Sequence, residues 1–402
     1  MQETWRWFGP NDSVTLSNIV QAGASGVVTS LHDVPTGEAW SEEAVVVRAR
    51  EIEAAGLSWS VVESIPLHND IKTRTGNYER HIENYKASIR SVAKAGIKVV
   101  CYNFMPVVDW TRTNLMYKLP NESHALRFEM TDFAAYDVYL LQRENAAADY
   151  DEQLLKEAKN RFDTMTEEEC LLLEKNIIAG LPGGEGSYTR ESIREAIAEF
   201  IALGVDNFRQ HLIKFLQAVI PVAEEFGVRM CIHPDDPPFS LFGLPRVVST
   251  AEDVRKIMQA VPSTSNGLTL CAGSFGARGD NNLVQMAKEF GSKIHFIHLR
   301  NVKRDTDGSF FEAEHLKGDN DMIALIAALL DEEKRRQSQG RSDLQIPMRP
   351  DHGHLLGDEI TAKNINPGYS FAGRLKGLAE LRGVIHVLEN CKIEACKFNT
   401  FT

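Results

Sequence analysis

Eight short β-rich segments alternate with helical patterns, and this alternation restricts the fold more than any other feature of the sequence. The segments are apolar, and the connections between them show apolar residues at helical spacing. They cover residues 4–8, 26–32, 57–64, 97–104, 228–233, 267–273, 293–299 and 346–351. Eight strands separated by helices predict an α/β protein with a (β/α)8 (TIM) barrel.

A doubly wound open sheet is the competing topology, and the first connection argues against it. Such a sheet usually has a glycine-rich first turn, whereas residues 9–12 read Gly-Pro-Asn-Asp. The alternation breaks between strands four and five, where residues 105–188 show charged helical sequence and no convincing strand. We therefore predict a single barrel domain over residues 1–402, with 107–190 as a helical insertion that forms a lid or a dimer contact.

The net charge of −12 limits the classes of partner. Nucleic-acid binding needs basic patches, so we expect no nucleic-acid partner, whereas a small anion could bind where a metal ion or arginines supply positive charge. No apolar run approaches the ~20 residues of a membrane span, and the first residues lack the layout of a signal peptide. The six cysteines are scattered rather than spaced as a disulfide framework. Together these features predict a cytoplasmic protein with no membrane partner.

Polar side chains of metal-binding type stand at the C-terminal ends of the predicted strands. Active sites of barrel enzymes lie at this end. The ends of strands two to eight present His32-Asp33, Glu63, Asn103, His233, Cys271, His298 and Asp351-His352. A barrel end that only supports the fold has no need of such a series, so the sequence predicts one convergent site.

Four of these residues are the predicted metal ligands: His233, Cys271, His298 and Asp351. Two imidazoles, one thiolate and one carboxylate suit a divalent transition metal such as manganese, iron, cobalt or zinc, and are too soft for magnesium or calcium. Taken singly, Cys271 is more simply a small buried residue and His298 a barrel histidine with satisfied hydrogen bonds. Four candidates at equivalent strand ends favour the metal site.

Residues near these ligands are assigned other roles. His352 follows a ligand directly and could act on the substrate as an acid or base. Tyr369 lies on the loop after strand eight, where barrel sites recruit residues. It could reach the site, or it could equally well pack under the loop. Arg374 opens the last helix and could clamp a carboxylate, or could be a solvated helix residue. Deeper in the barrel, Cys231 is predicted to pack, and His295 to face outward or support the site.

Several long segments resemble the mannonate dehydratase family, which has a xylose-isomerase-like barrel. The matching segments are TWRWFGPND, VVTSLHDVPTGEAW, CIHPDDPP, LCAGSFGARGDN, HLRN, RPDHGH and NPGYSFAGRLKGL. The resemblance covers nearly the whole chain and implies a lyase that dehydrates D-mannonate to 2-keto-3-deoxy-D-gluconate in hexuronate (glucuronate) breakdown. It also implies one Mn2+ or Fe2+ per site, held by the same four ligands, and places His352 and Tyr369 at the family's candidate catalytic positions.

For this reaction we expect His352 and Tyr369 to share the acid and base work, with their division undecided. Asp351 would mainly hold the metal and could orient His352. His32, Asn103 and Arg374 are the expected substrate contacts, and the protein is expected to be a homodimer.

Three other functions compete with this reading. A metal-dependent sugar isomerase of the same fold is the nearest alternative, although such sites favour carboxylates. An endonuclease of similar shape is disfavoured by the negative charge. A sugar-acid binding protein would be stabilised by its ligand without turnover.

Overall fold

The computed structural model describes residues 1–178 and 188–390. Its strands in chain order are β1 (Gln2–Arg6), β2 (Gly26–Thr29), β3 (Ser58–Glu63), β4 (Val99–Tyr102), β5 (Asn114–Lys118), β6 (His124–Phe128), β7 (Arg229–Ile232), β8 (Asn266–Cys271), β9 (Ile294–Leu299), β10 (Val302–Arg304), β11 (Phe310–Glu312) and β12 (Pro347–Pro350). Eight of them close a parallel barrel in the order β1-β12-β9-β8-β7-β4-β3-β2. The predicted (β/α)8 barrel is confirmed, and each of its strands overlaps a predicted one.

Helices separate the barrel strands as the periodicity predicts. They are α1 (Leu16–Gln21), α2 (Glu42–Ala54), α3 (Asn69–Thr73), α4 (Tyr78–Lys94), α5 (Met130–Ala135), α6 (Glu152–Thr164), α7 (Glu167–Ile178), α8 (Arg190–Phe226), α9 (Ala251–Ala260), α10 (Ala272–Gly276), α11 (Leu283–Phe290), α12 (Met322–Ser338) and α13 (Phe371–Asn390). Short turns of 3-10 helix lie at Ala146–Asp149, Gly291–Lys293 and Gly357–Ile360, and a π-helical turn lies at Tyr136–Leu140. Among the described helices, none is long and apolar enough to cross a membrane.

Local sequence explains where individual helices begin and which face they bury. Ser41 caps α2 by accepting a hydrogen bond from the Ala44 amide, because a serine oxygen satisfies an amide that has no partner within the helix. In α4, the residues Ile82, Tyr85 and Ile89 recur at helical spacing, and all three are buried against the core. The long helix α8 bends at Gly204, whose backbone is not helical, so it consists of two helical segments.

The insertion between β4 and β7 contains strands that the sequence analysis missed. β5 and β6 pair antiparallel, and β6 pairs with β11 to form a second sheet in the order β10-β11-β6-β5. The expectation of no strand between residues 105 and 188 was therefore wrong, although α5, α6 and α7 lie there as predicted. The missed strands are only five residues long, and the sheet that they form with β11 depends on a partner far along the chain, so local periodicity carries little signal. Residues 179–187, the end of the predicted insertion, lie outside the described residues.

Buried side chains from several strands pack together inside the barrel. Val28, Val61, Cys101, Cys231 and Phe296, contributed by five different strands, belong to one buried cluster. Cys231 therefore packs, as predicted, and its thiol donates to the Val100 carbonyl at 3.6 Å. A filled interior restricts ligand access to the barrel ends.

His295 faces outward from β9, as predicted, and lies against Gly267. A methyl group at Gly267 would lie 2.2 Å from the His295 ring, so the close contact requires glycine. The Nε2 atom donates to the Thr264 carbonyl at 3.0 Å. Burial, together with Arg229 and Arg336, lowers the pKa of His295 to about 3.

This buried histidine should make the protein less stable in acid. Its pKa is depressed in the folded state, so its contribution is complete above pH 6.5 and is lost as the pH falls towards 3. Over that window each pH unit should cost about 1.4 kcal/mol of unfolding free energy. In His295→Gln the amide can still donate to Thr264, and this part of the pH dependence should disappear. Urea unfolding of both proteins between pH 7 and pH 5 measures the effect, and a pH-independent difference would contradict it.

Candidate metal centre

Four neighbouring barrel strands bring the predicted ligands to one end of the barrel. β7, β8, β9 and β12 stand side by side in the barrel order. His233 follows β7, Cys271 ends β8, His298 lies near the end of β9 and Asp351 follows β12. Cys271 pairs directly with His298 in the sheet, so their side chains lie at the same level.

The functional atoms of these residues lie close together. The ligand atoms of His233, Cys271 and His298 are all within 4.8 Å of one another. His233 Nε2 lies 3.2 Å from His298 Nδ1, and Asp351 Oδ2 lies 3.7 Å from that same Nδ1. The distance from Cys271 Sγ to Asp351 Oδ2 is 4.0 Å. The convergence expected from the strand ends is therefore present in the structure.

Polar groups on the far side of each ring orient the two imidazoles towards this cluster. His233 Nδ1 donates to the Pro234 carbonyl at 2.7 Å, which leaves Nε2 as the lone-pair nitrogen. His298 Nε2 lies 3.2 Å from Glu63 Oε1, and the proximity of that carboxylate favours a proton on Nε2. A separation of 3.2 Å between two imidazole nitrogens is that of a pair sharing a hydrogen bond, and it is also compatible with a pair that binds one metal ion.

The electrostatic environment keeps the cluster suited to a cation. Burial lowers the pKa of His233, which favours the neutral imidazole that metals bind. Burial alone would raise the pKa of Asp351, but Arg349, His352 and His298 hold it well below its ordinary value. Arg349 also donates to Asp351 Oδ1, which leaves Oδ2 facing the cluster. The Cys271 sulfur accepts hydrogen bonds from the Ser274 hydroxyl at 3.1 Å and the Ser274 amide at 3.4 Å.

This donor set fits a divalent transition metal. A sulfur, two imidazole nitrogens and a carboxylate oxygen form a mixed soft and hard site, which magnesium and calcium do not favour. Glu63 and Arg349 support it from the next layer, because Arg349 donates to Glu63 at 3.1 Å and Glu63 lies against His298. Ligands held in place by such outer partners are typical of metal centres.

A cavity of about 560 Å3 opens beside the cluster, and most of the other predicted site residues line it. His352 and Tyr369 stand in its wall with their rings 5.2 Å apart and nearly perpendicular. His32 and Asn103 also line it. Neither ring nitrogen of His32 has a hydrogen-bond partner in the described part of the chain, and burial, with Arg6 and Arg48, lowers its pKa to about 3. Asn103 donates to Asp109 at 3.2 Å.

Arg374 does not occupy the predicted position of a substrate clamp. It is absent from the lining of the cavity as described by residues 1–178 and 188–390, and its side chain is fully buried. Its guanidinium donates to the carbonyls of Ser370, Arg6 and Tyr369 at 3.0, 2.8 and 2.7 Å, and stacks over Trp5. Helix α13 turns this residue inward, so Arg374 fastens the Tyr369 loop to β1, with each of its three guanidinium nitrogens donating to a backbone carbonyl.

Tyr369 is held as a neutral phenol. Burial and the nearby Asp351 charge raise its pKa, and Arg349 and Arg6 only partly offset them. At neutral pH such a phenol carries its proton, so it can donate a hydrogen bond into the cavity.

A buried network of charged residues behind His352 was missed by the sequence analysis. Asp236 accepts from Arg112 at 2.9 Å and from Arg300 at 2.6 Å, and both arginines also donate to Glu312. Glu312 Oε1 lies 3.0 Å from His352 Nδ1. Gly273 permits this packing, because a methyl group there would lie 2.3 Å from Arg300. Arg112 and Glu312 come from segments without a strand-end pattern, so nothing local in the sequence marked them.

Comparison with known proteins identifies the family. A family model described as D-mannonate dehydratase (UxuA) matches residues 1–395. The mannonate dehydratase of Saccharophagus degradans is 70% identical over 389 residues, 97% of this chain and 98% of that protein. Mannonate dehydratase 2 of Agrobacterium fabrum is 57% identical over 389 residues, with the same two coverages of 97% and 98%.

Solved structures agree with this relationship. The crystal structure of mannonate dehydratase from Streptococcus suis serotype 2 matches with a TM-score of 0.76 and 34% identity, covering 96% of this chain and 95% of that one. A xylose isomerase domain protein from Alicyclobacillus acidocaldarius, at 12% identity and a TM-score of 0.51 over 97% of this chain and 99% of that one, shares only the fold. The chain belongs to the D-mannonate dehydratase family.

Proposed function

We propose that this protein is a hydro-lyase that converts D-mannonate to 2-keto-3-deoxy-D-gluconate and water, as a step of hexuronate (glucuronate) breakdown. The observation that carries the proposal is the junction of the convergent donor cluster with a cavity lined by His352 and Tyr369. About 560 Å3 is ample for a six-carbon sugar acid. The names of the family model and of the Saccharophagus degradans relative support the same substrate and reaction.

The proposed cofactor is one Mn2+ or Fe2+ per site, held by His233, Cys271, His298 and Asp351. When bound, the ion would supply Lewis-acid stabilisation of the negative charge that develops on the substrate's carboxylate and C2 oxygen. The chemistry of the donor set is the support for this cofactor, because a thiol and two imidazoles select transition metals.

Two cavity residues are proposed to move the protons. His352 removes the proton from C2, and the electrons of that C–H bond form the C2–C3 double bond as the C3 hydroxyl departs. Tyr369 donates its phenolic proton to the departing hydroxyl, which leaves as water. The product enol then tautomerises to the 2-keto acid. Tyr369 is a neutral phenol, which is the protonation state that a proton donor needs before the reaction, although its raised pKa by itself makes it a weaker acid.

Charge balance in the cavity supports a bound cation as the attraction for the anionic substrate. Four basic residues line it, Arg6, Lys72, Arg300 and Arg349, but so do four acidic ones, Glu63, Asp109, Asp236 and Asp351, so the excess positive charge would come from the metal ion. His32 and Asn103 offer polar contacts to substrate hydroxyls. The lid or dimer role of the insertion, the homodimer and the cytoplasmic location stay predictions.

Activity on aldonic acids tests the proposed reaction. Purified protein that has been stripped of metal and reloaded with Mn2+ should convert D-mannonate to a 2-keto-3-deoxy acid, and a chelator should abolish turnover. A colorimetric assay for 2-keto-3-deoxy acids measures the product. A ketose formed from xylose would instead indicate an isomerase, and full activity in chelator would contradict a metal-dependent reaction.

Loss of the sulfur ligand should weaken metal binding. We expect Cys271→Ser to lower both the Mn2+ content after dialysis and the turnover. Loss of a residue that only supports a metal ligand typically lowers metal affinity by about 10–100-fold, and loss of the ligand itself should lower it at least as much. Cys170 is a matched control, because it is a free thiol on α7, away from the cluster. Elemental analysis measures the metal, and equal metal content in Cys271→Ser and Cys170→Ser would exclude Cys271 as a ligand.

Removal of either proton-transfer group should lower kcat much more than substrate affinity. His352→Asn and Tyr369→Phe should each reduce kcat by about 10²–10⁴-fold, the usual contribution of a positioned acid or base. Their Mn2+ content should match that of the wild type. Steady-state kinetics on D-mannonate measure the effect, and a variant with nearly normal kcat would remove its residue from the mechanism.

A further inference from the structure

Glu312 approaches the site from outside the barrel. It is the last residue of β11 in the second sheet, and its side chain is 1% exposed. Its Oε1 accepts from Arg112 at 2.9 Å and lies 3.0 Å from His352 Nδ1, while its Oε2 accepts from Arg300 at 2.6 Å. Every group that faces the carboxylate in these contacts is a nitrogen that can donate.

This environment determines which nitrogen of His352 carries the proton. Burial alone would raise the pKa of Glu312, but Arg300, His352 and Arg112 together lower it to about 2. An ionised carboxylate can only accept hydrogen bonds, so His352 must present N–H at Nδ1. A neutral imidazole then carries its lone pair on Nε2.

Packing holds the His352 ring in this orientation. Trp110 and Tyr369 meet the ring edge-on, with centroid distances of 5.8 and 5.2 Å. Gly368 lies so close that a methyl group there would be 2.9 Å from His352 Cδ2. The opposite nitrogen, Nε2, lies 3.8 Å from Asp351 Oδ1, on the side of the predicted metal ligands.

We propose that Glu312 is a positioning residue for the dehydration, and that it makes His352 Nε2 the atom that receives the C2 proton. The inference rests on the proposed function. In the step itself the C2–H bond breaks, its proton bonds to Nε2, and its electrons stay with the substrate. The resulting imidazolium carries protons on both nitrogens, and the carboxylate of Glu312 faces its new charge. Arg112 and Arg300 restrain Glu312 in turn, so the second sheet takes part in the site.

A double-mutant cycle tests whether Glu312 acts through His352. A glutamine at position 312 would turn an NH2 group towards at least one of three donors, so it cannot accept from His352, Arg112 and Arg300 together. We expect Glu312→Gln to lower kcat by about 10²-fold with a smaller change in KM. In the His352→Asn background the same change should have little further effect on kcat. Glu312→Asp, which keeps the charge, should retain more activity than Glu312→Gln.

A purely structural role predicts different results. Glu312→Gln would then lower kcat by the same factor in both backgrounds, or would lower the metal content and the thermal unfolding temperature enough to account for the loss. Either result would overturn the proposal. Higher activity in Glu312→Asp than in Glu312→Gln supports a role for the carboxylate charge.

A spectroscopic measurement separates this inference from the proposed function. Nitrogen-15 NMR of histidine-labelled wild-type protein, loaded with diamagnetic Zn2+, reports the tautomer of His352 without any turnover. We expect a protonated Nδ1 and an unprotonated Nε2, with His352→Asn used to assign the signals. A protonated Nε2 and bare Nδ1 would contradict the role of Glu312 even if mannonate is dehydrated. If the wild-type protein does not dehydrate mannonate, the proposed function is contradicted, whichever tautomer His352 has.

Discussion

Two imidazole nitrogens that face each other across 3.2 Å, with a thiol and a carboxylate beside them, are the arrangement on which the rest of the structure depends. Buried donor atoms of this kind are stable only with a cation or hydrogen-bond donors beside them, and here Arg349 pairs with Asp351 and lies 3.5 Å from His298 Nδ1. The parallel barrel makes the arrangement available, because all its strands end at one rim and four neighbours each deliver one side chain. The architecture therefore places four metal-binding side chains within reach of one cation.

Buried arginines around the cluster compensate the charges of the carboxylates there. Arg349 lies between Asp351 and Glu63, and Glu63 in turn lies against His298. Behind His352, Asp236 and Glu312 share the buried guanidinium groups of Arg112 and Arg300. Removing one partner from such a buried network leaves an uncompensated charge, which typically costs about 3–5 kcal/mol. These contacts also join the insertion and the β10–β11 hairpin to the barrel, so the second sheet is part of the support of the site.

The barrel and its rim could be predicted because their signals are local. Each strand is an apolar run, and His233, Cys271, His298 and Asp351 stand at or next to the end of such a run. His32, Asn103, His352 and Tyr369 line the cavity for the same reason, since chain segments just after barrel strands form the mouth. Resemblance to a family added the substrate and narrowed the predicted divalent transition metal to Mn2+ or Fe2+, which the strand-end residues alone did not give.

The remaining features depend on contacts between distant parts of the chain. β6 pairs with β11 across about half of the sequence, so short alternating patterns could not reveal the second sheet. Glu312 reaches His352 only because of that pairing, and its sequence context suggests no chemistry. Arg374 shows the opposite error: its position at the start of a helix suggested a ligand contact, but the helix orientation turns the guanidinium towards backbone carbonyls.

X-ray absorption spectroscopy at the metal edge of the Mn2+-loaded protein tests the central claim most directly, because it observes the atoms bound to the ion. The account predicts one sulfur neighbour together with nitrogen and oxygen neighbours, two of them with the scattering pattern of imidazole rings. A stoichiometrically bound ion with only oxygen and nitrogen neighbours would show that Cys271 is not a ligand and would contradict the four-residue centre.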